Sequence, residues 1–256
     1  MTIDLNPASF SESNGVYRHR WDWREILAII SLTIIIVLLG SLLLYKLFEL
    51  ASSWVNSEHY FLINNALFAA LEATAILISV YLIGIRRNRL TWQAVGITRV
   101  SRQWQIIAVL LGLLILPSVG LIAMMIQLAL GLPPSNPQLE FLLPDEVSIP
   151  GVLIMLVFGG FIVPIAEEIF FRGLLYSWLR QTLKIWPAIL ISSALFGLLH
   201  GEISIAGATF LMGIILAWIY EKSTSLLPAI SIHIINNSIK LLLLYLMAAF
   251  GMDIPV

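Results

Sequence analysis

Long apolar runs separated by short polar stretches organise the chain. The runs lie near residues 26–48, 61–85, 105–131, 151–172, 186–200, 206–221 and 226–250. A bilayer core takes about 20 apolar residues per helix. The pattern therefore predicts an all-α, polytopic transmembrane helical bundle of about seven spans. The first run, Ile26–Phe48, follows a polar segment and has no small-residue cleavage site behind it. A secretory core is only about 7–15 residues, so a retained span is expected rather than a cleaved signal. No internal repeat, low-complexity segment or soluble domain interrupts the pattern. The expected division is a polar N-terminal segment with three helices over 1–149 and a helical core over 150–256.

Composition agrees with the hydropathy. Of 256 residues, 59% are hydrophobic and 11% charged, against about 25% charged in soluble domains; the mean hydropathy is +0.95. The net charge of −1 leaves no basic face for nucleic acid. The absence of cysteine excludes disulfides, thiol catalysis and thiolate metal sites. Basic residues Arg86, Arg87, Arg89, Arg99 and Arg102 follow the second run, whereas Glu140, Asp145 and Glu146 follow the third without a base. Lysine and arginine in short loops mark the cytoplasmic side, so the N-terminus is expected there, with Arg180, Lys184 and Lys222. Trp21, Trp23, Trp54, Trp104, Trp178, Trp186 and Trp218 fall near span ends, at the headgroup level indoles prefer. Lys240, inside the last run, is the misfit: it either snorkels or shortens the span.

The fourth run carries chemistry. It reads IVPIAEEIFFRGLLYSWLR from Ile162 to Arg180. A charge at mid-membrane costs about 2.5–3.5 kcal/mol on insertion scales. Glu168 and Arg172 stand four apart on one helical face and can pair. Glu167, about 100° round the helix, is left to face something else. Pro164 frees a backbone carbonyl and is expected to bend the helix. Two further points follow: His200, with Phe196 one turn before it, and His233 with Asn237 at i and i+4. His19 and His59 read as solvated flanks. Folding the chain back midway between Glu167 and His200 places a turn at Leu183 and Lys184 and brings the two to one depth. His233, about 10 Å into its span at 1.5 Å per residue, sits shallower. Residues 173–186 running partly along the interface would reconcile the levels.

These residue types suit hydrolysis. A carboxylate in a partly dry cavity can serve as general base on a water. A histidine beside it can hold that water, and a second histidine with an asparagine amide can donate to a developing oxyanion. Alternatively Glu167, His200 and His233 could ligate zinc with water in the open position, although no close-spaced zinc motif is present. An ion pair that merely locks helices is the structural alternative. A proton relay is another, without the paired broken helices that would favour it. Span serines Ser192, Ser193, Ser231 and Ser238 lie in no nucleophile-elbow pattern.

The segments EEIFFR (Glu167–Arg172), FGLLH (Phe196–His200) and HIINN (His233–Asn237) resemble, in order, the three motifs of the CPBP family of intramembrane proteases, also called the CAAX prenyl protease type II or Abi family. The resemblance covers about residues 150–250. It implies a membrane helical bundle with a cavity reached from the cytoplasmic side, in a prokaryotic plasma membrane. Glu167 would be the general base and His200 its partner on water. His233 and Asn237 would form the oxyanion site, with Glu168 and Arg172 stabilising the helix. The expected partners are the bilayer and a membrane-anchored peptide or protein, prenylated CAAX substrates among them. The glutamate mechanism requires no cofactor, and zinc is the competing view within the family. Some members are non-catalytic scaffolds or bacteriocin-immunity proteins that bind membrane peptides, which is the second functional reading.

Overall fold

Seven helices and one tight turn make up the computed structural model, which describes residues 19–51, 57–132 and 147–252. The acidic stretch with Glu140, Asp145 and Glu146, the Trp54 position and the His59 side chain lie outside the described residues. The elements are α1 (Trp23–Ala51), α2 (Ser57–Ser79, prolonged by a π-helical stretch over Val80–Arg86), a 3-10 turn (Trp92–Val95), α3 (Arg102–Leu130), α4 (Ile149–Leu179), α5 (Ile185–Leu198), α6 (Ile203–Ser223) and α7 (Leu227–Ala249). Among the described residues no strand occurs. The protein is a polytopic helical bundle, as the hydropathy predicts. Among the described residues six helices are long and apolar enough to cross a membrane, and α5, with 14 residues, is shorter. At 1.5 Å per residue it reaches about 21 Å, less than the roughly 30 Å of a hydrocarbon core.

Buried apolar side chains form two main clusters. One joins α1, α2, α4 and the end of α6 through Ile29, Ala73, Val80, Leu174 and Tyr220. The other lies between α3, α6 and α7, with Ala108, Ile115, Leu216 and Ile232. The outer faces of α1 and α3 stay apolar and exposed, with Leu38, Leu42, Leu114 and Leu128 among them, as suits contact with lipid.

Helix α4 is continuous through Pro164, for a readable reason. Its backbone widens to a π-helix over Leu156–Ile162 and again over Ile169–Tyr176, geometry often found at functional sites. Pro164 has no N–H for the preceding turn. The carbonyls of Gly160 and Gly159, four and five residues back, accept instead from α7: Ser238 Oγ at 3.2 Å and Asn237 Nδ2 at 3.5 Å. A Cβ on Gly160 would come within 2.8 Å of Ser238 Oγ, so glycine is what lets α7 approach. Gly160→Val is expected to destabilise the protein by about 1–3 kcal/mol, read as a lower midpoint of thermal unfolding in detergent.

The hairpin between α4 and α5 turns at residues 180–184, where the sequence places it. Arg180 donates to Leu183 O at 2.8 Å and pairs with Glu221 of α6 at 3.1 Å, and Tyr176 donates to the same carboxylate at 2.7 Å. Residues 173–179 do not leave the bundle as the interfacial reading expects. They continue α4, and Gly173–Ser177 are buried. What shifts the levels is the 3-10 turn after α2. Val95 lies directly against Gly173, where a Cβ would meet Val95 O at 2.7 Å. Gly96 O then accepts from Leu226 N at 2.7 Å, just before α7. Helix α7 thus starts at the level of Gly173, well inside the end of α4. That offset raises His233 to the glutamates.

Between α5 and α6 the chain reverses in four residues. Gly201 takes a left-handed φ of 79°, which other residues adopt at a cost. Glu202 then caps α6, accepting from Ser204 N and Ile205 N. His200 lies in this reversal, two residues past the end of α5.

Candidate active site

The α-helical stretch of α4 between its two widened segments presents Glu167 and Glu168 toward α7. Glu168 and Arg172 pair at 2.8 Å with both side chains fully buried. Arg172 also donates to Gly213 O of α6 at 3.2 Å, and its guanidinium lies 4.4 Å from the centre of the Phe196 ring. Glu168 does more than pair with Arg172. His233 Nδ1 meets the same Glu168 oxygen at 2.9 Å, while His233 Nε2 stands 3.5 Å from Glu167 Oε2. A carboxylate can only accept, so Nδ1 is the donor and Nε2 is turned toward Glu167. Glu167 keeps 16% of its side chain exposed where Glu168 keeps none. The neighbouring acids therefore divide as their 100° offset predicts: one sealed, one facing open space.

His200 is held by its own helix, with Nδ1 2.9 Å from Phe196 O. The carbonyl can only accept, which places the proton on Nδ1 and leaves Nε2 as the nitrogen able to hold a water. Phe196 organises the neighbourhood. Its ring meets Phe171 of α4 at 5.0 Å, His200 at 4.8 Å and His233 at 5.8 Å, all edge-on. Phe171 and Phe196 are equidistant from the turn along the two arms of the hairpin. Glu167 lies one helical turn before Phe171 in α4, and His200 four residues after Phe196 in the chain.

Asn237 lies one turn beyond His233, its amide oxygen accepting from Asn236 at 3.3 Å and its amide nitrogen aimed at Gly159 O. The pairing of Glu168 with Arg172 follows the sequence reading. His233 meets both glutamates without the interfacial stretch over residues 173–186 by which the sequence reading reconciles their levels.

Three residues near this cluster carry no role in the sequence reading. Asn236 is buried and fixes the amide of Asn237. Glu72, of α2, lies within electrostatic reach of Glu167. A lone acid in an apolar run was its available signal. Lys240 also interacts electrostatically with Glu167 and with His200. Because α7 continues past it to Ala249, a shortened span does not explain it. Among the described residues, no group of three His, Cys, Asp or Glu side chains is arranged to hold a metal ion. His233 Nδ1 donates to Glu168 and His200 Nδ1 to Phe196 O, as in histidines that ligate a metal through Nε2, so Glu167, His200 and His233 keep the donor chemistry that would hold zinc.

The family model described as "Type II CAAX prenyl endopeptidase Rce1-like" matches residues 149–239, a stretch containing all three motifs and every residue of the cluster except Glu72 and Lys240. Residues 149–239 are thus similar to the Rce1-like family. A Bacillus subtilis (strain 168) protein named "Putative membrane peptidase YdiL" is 29% identical over 90 residues, 35% of this chain and 37% of that protein. The chain thus aligns with little more than a third of that relative's length. No solved structure matches. The matched segment starts with α4, and α1 to α3 precede it.

Proposed function

We propose that the protein is an intramembrane endopeptidase that hydrolyses a membrane-associated peptide with Glu167 as general base. The observation that carries this reading is the unequal environment of the two adjacent glutamates. Glu168 is sealed between Arg172 and His233, while Glu167 is partly open. A water held between Glu167 and His200 Nε2 would lose a proton to the carboxylate as it attacks the peptide carbonyl. The proton would then pass to the leaving amine. Asn237 Nδ2, whose bond to Gly159 O is long at 3.5 Å, can turn toward the oxyanion. His233 would approach it from the other side, its ring held by Glu168. Donors aimed at developing charge contribute a few kcal/mol each in enzymes that use them. The family supports prenylated CAAX peptides as candidate substrates.

The test uses the purified protein in detergent with quenched-fluorescence peptides, some farnesylated at a C-terminal CAAX cysteine and some unmodified transmembrane segments. Wild type is expected to cut at least one class and Glu167→Gln none, with cleavage persisting in chelator. Binding of the same peptides by both proteins without cleavage by either would replace the protease with a scaffold or immunity protein.

A further inference from the structure

Lys240 occupies an unusual position for a lysine. It lies in the middle of α7, 13 residues from Leu227, or about 20 Å into the helix at 1.5 Å per residue. It is half-buried, and about 14 Å of helix separate it from the other end of α7 at Ala249. His233, Asn236, Asn237 and Lys240 follow at steps of three, one and three, so they share one face of α7. Helical side chains lean toward the helix N-terminus, which carries the Lys240 ammonium back toward Asn237 and His233.

An ammonium at such depth is expensive unless paired. Among the described residues Lys240 forms neither an ion pair nor a hydrogen bond. Glu167 acts on it electrostatically without forming an ion pair, and the acids of the neighbourhood have other partners. Glu168 is taken by Arg172 and His233, and Glu167 faces His233. Glu72, the third acid of the neighbourhood, approaches Glu167 from α2. Helix α3 carries no charge beyond Arg102 at its start, α5 carries none, and α6 has only Glu221 and Lys222 near its far end. Arg172, the other cation of the cluster, is fully buried and bound to Glu168 and Gly213 O. Lys240 is therefore the cation of this site still able to receive an anion.

We propose that Lys240 anchors a carboxylate of the bound peptide, either its C-terminal carboxylate or an acidic side chain close to the scissile bond. The inference rests on the proteolytic reading for the nature of its ligand, a peptide, but not on hydrolysis. Lys240 is a specificity-determining residue here, one that binds substrate beyond the reacting atoms. Because the neighbourhood is otherwise rich in carboxylates, a second anion is tolerated only beside this ammonium. The site would thereby select peptides with a negative charge at one fixed distance from the cut.

The experiment measures binding to the Glu167→Gln protein in detergent by fluorescence anisotropy, so that turnover does not enter. Three forms of one labelled transmembrane peptide are compared: a C-terminal carboxylate, a C-terminal carboxamide, and the carboxamide with aspartate as last residue. A charge-assisted contact predicts about 10- to 100-fold tighter binding of a carboxylate form than of the plain amide. Preference for the first form identifies the chain terminus as the source, and preference for the third a side chain. Adding Lys240→Met should bring the forms to equal affinity, while Lys240→Arg should retain the preference. A lysine that only balanced the charge of Glu167 would change binding of all forms together. Equal affinity of all three forms for the Glu167→Gln protein, or no binding of any, overturns the anchor, as does a preference that survives Lys240→Met. Absence of cleavage by wild type, with the charge preference intact, would overturn the protease and leave the anchor standing.

Discussion

Replacing Glu167 by Gln is expected to lower peptide cleavage by about 10²- to 10⁴-fold, the usual contribution of a positioned general base, while leaving thermal stability close to wild type. Gln has the shape of Glu, and Glu167 is partly open, with its described close partner being His233 at 3.5 Å. Little packing or pairing is therefore at stake. The adjacent substitution Glu168→Gln should behave in the opposite way. Its amide can still accept from Arg172 and His233, but it leaves the Arg172 charge without a counter-ion in a sealed interior. Two neighbouring isosteric changes thus separate chemistry from structure. Measuring cleavage rate and unfolding midpoint for both variants checks the division. An unfolding midpoint that falls as far for Glu167→Gln as for Glu168→Gln would make both acids structural.

Arg172→Met should destabilise the protein by about 3–5 kcal/mol, because it strands the Glu168 carboxylate without its cation. The arginine also fills the space against Phe196 and ties α4 to α6 through Gly213 O. A double variant, Glu168→Leu with Arg172→Met, removes both charges together and should recover most of that loss, since buried pairs replaced by apolar residues are often neutral or better. Activity should not return with it. His233 Nδ1 loses its acceptor when Glu168 is gone, and the ring is then no longer held facing Glu167. Denaturation in detergent reads the first effect and peptide cleavage the second. A double variant that regained full activity would show that Glu168 does not position His233.

Some of this site is local and so was legible in the chain. Glu168 and Arg172 meet because residues four apart on a helix share a face, whatever surrounds them. Phe196 and His200 meet edge-on because they stand four apart, and the hairpin midpoint at Leu183 and Lys184 marks the observed turn because the two arms are uninterrupted helix. The level of His233 was not legible. A count along α7 alone places it too shallow, because the count assumes that α7 starts level with the end of α4. The turn at Trp92–Val95, some 130 residues earlier in the chain, rests against Gly173 and supports the start of α7 there. The sequence of α7 itself holds no sign of it. Glu72 was readable as an unexplained acid in an apolar run, but its nearness to Glu167 was not.

Hydropathy and local spacing alone determined the helical membrane bundle, the three polar motifs in order, and the sealing of one glutamate by an arginine one turn away. These depend on segment length and on helical periodicity, which are properties of neighbouring residues. The tertiary structure decided that His233 joins both glutamates, that α7 donates to carbonyls beside Pro164, and that Lys240 faces the same site. Each depends on how far one helix slides along another, and that register is set by small residues and inserted turns remote in the chain.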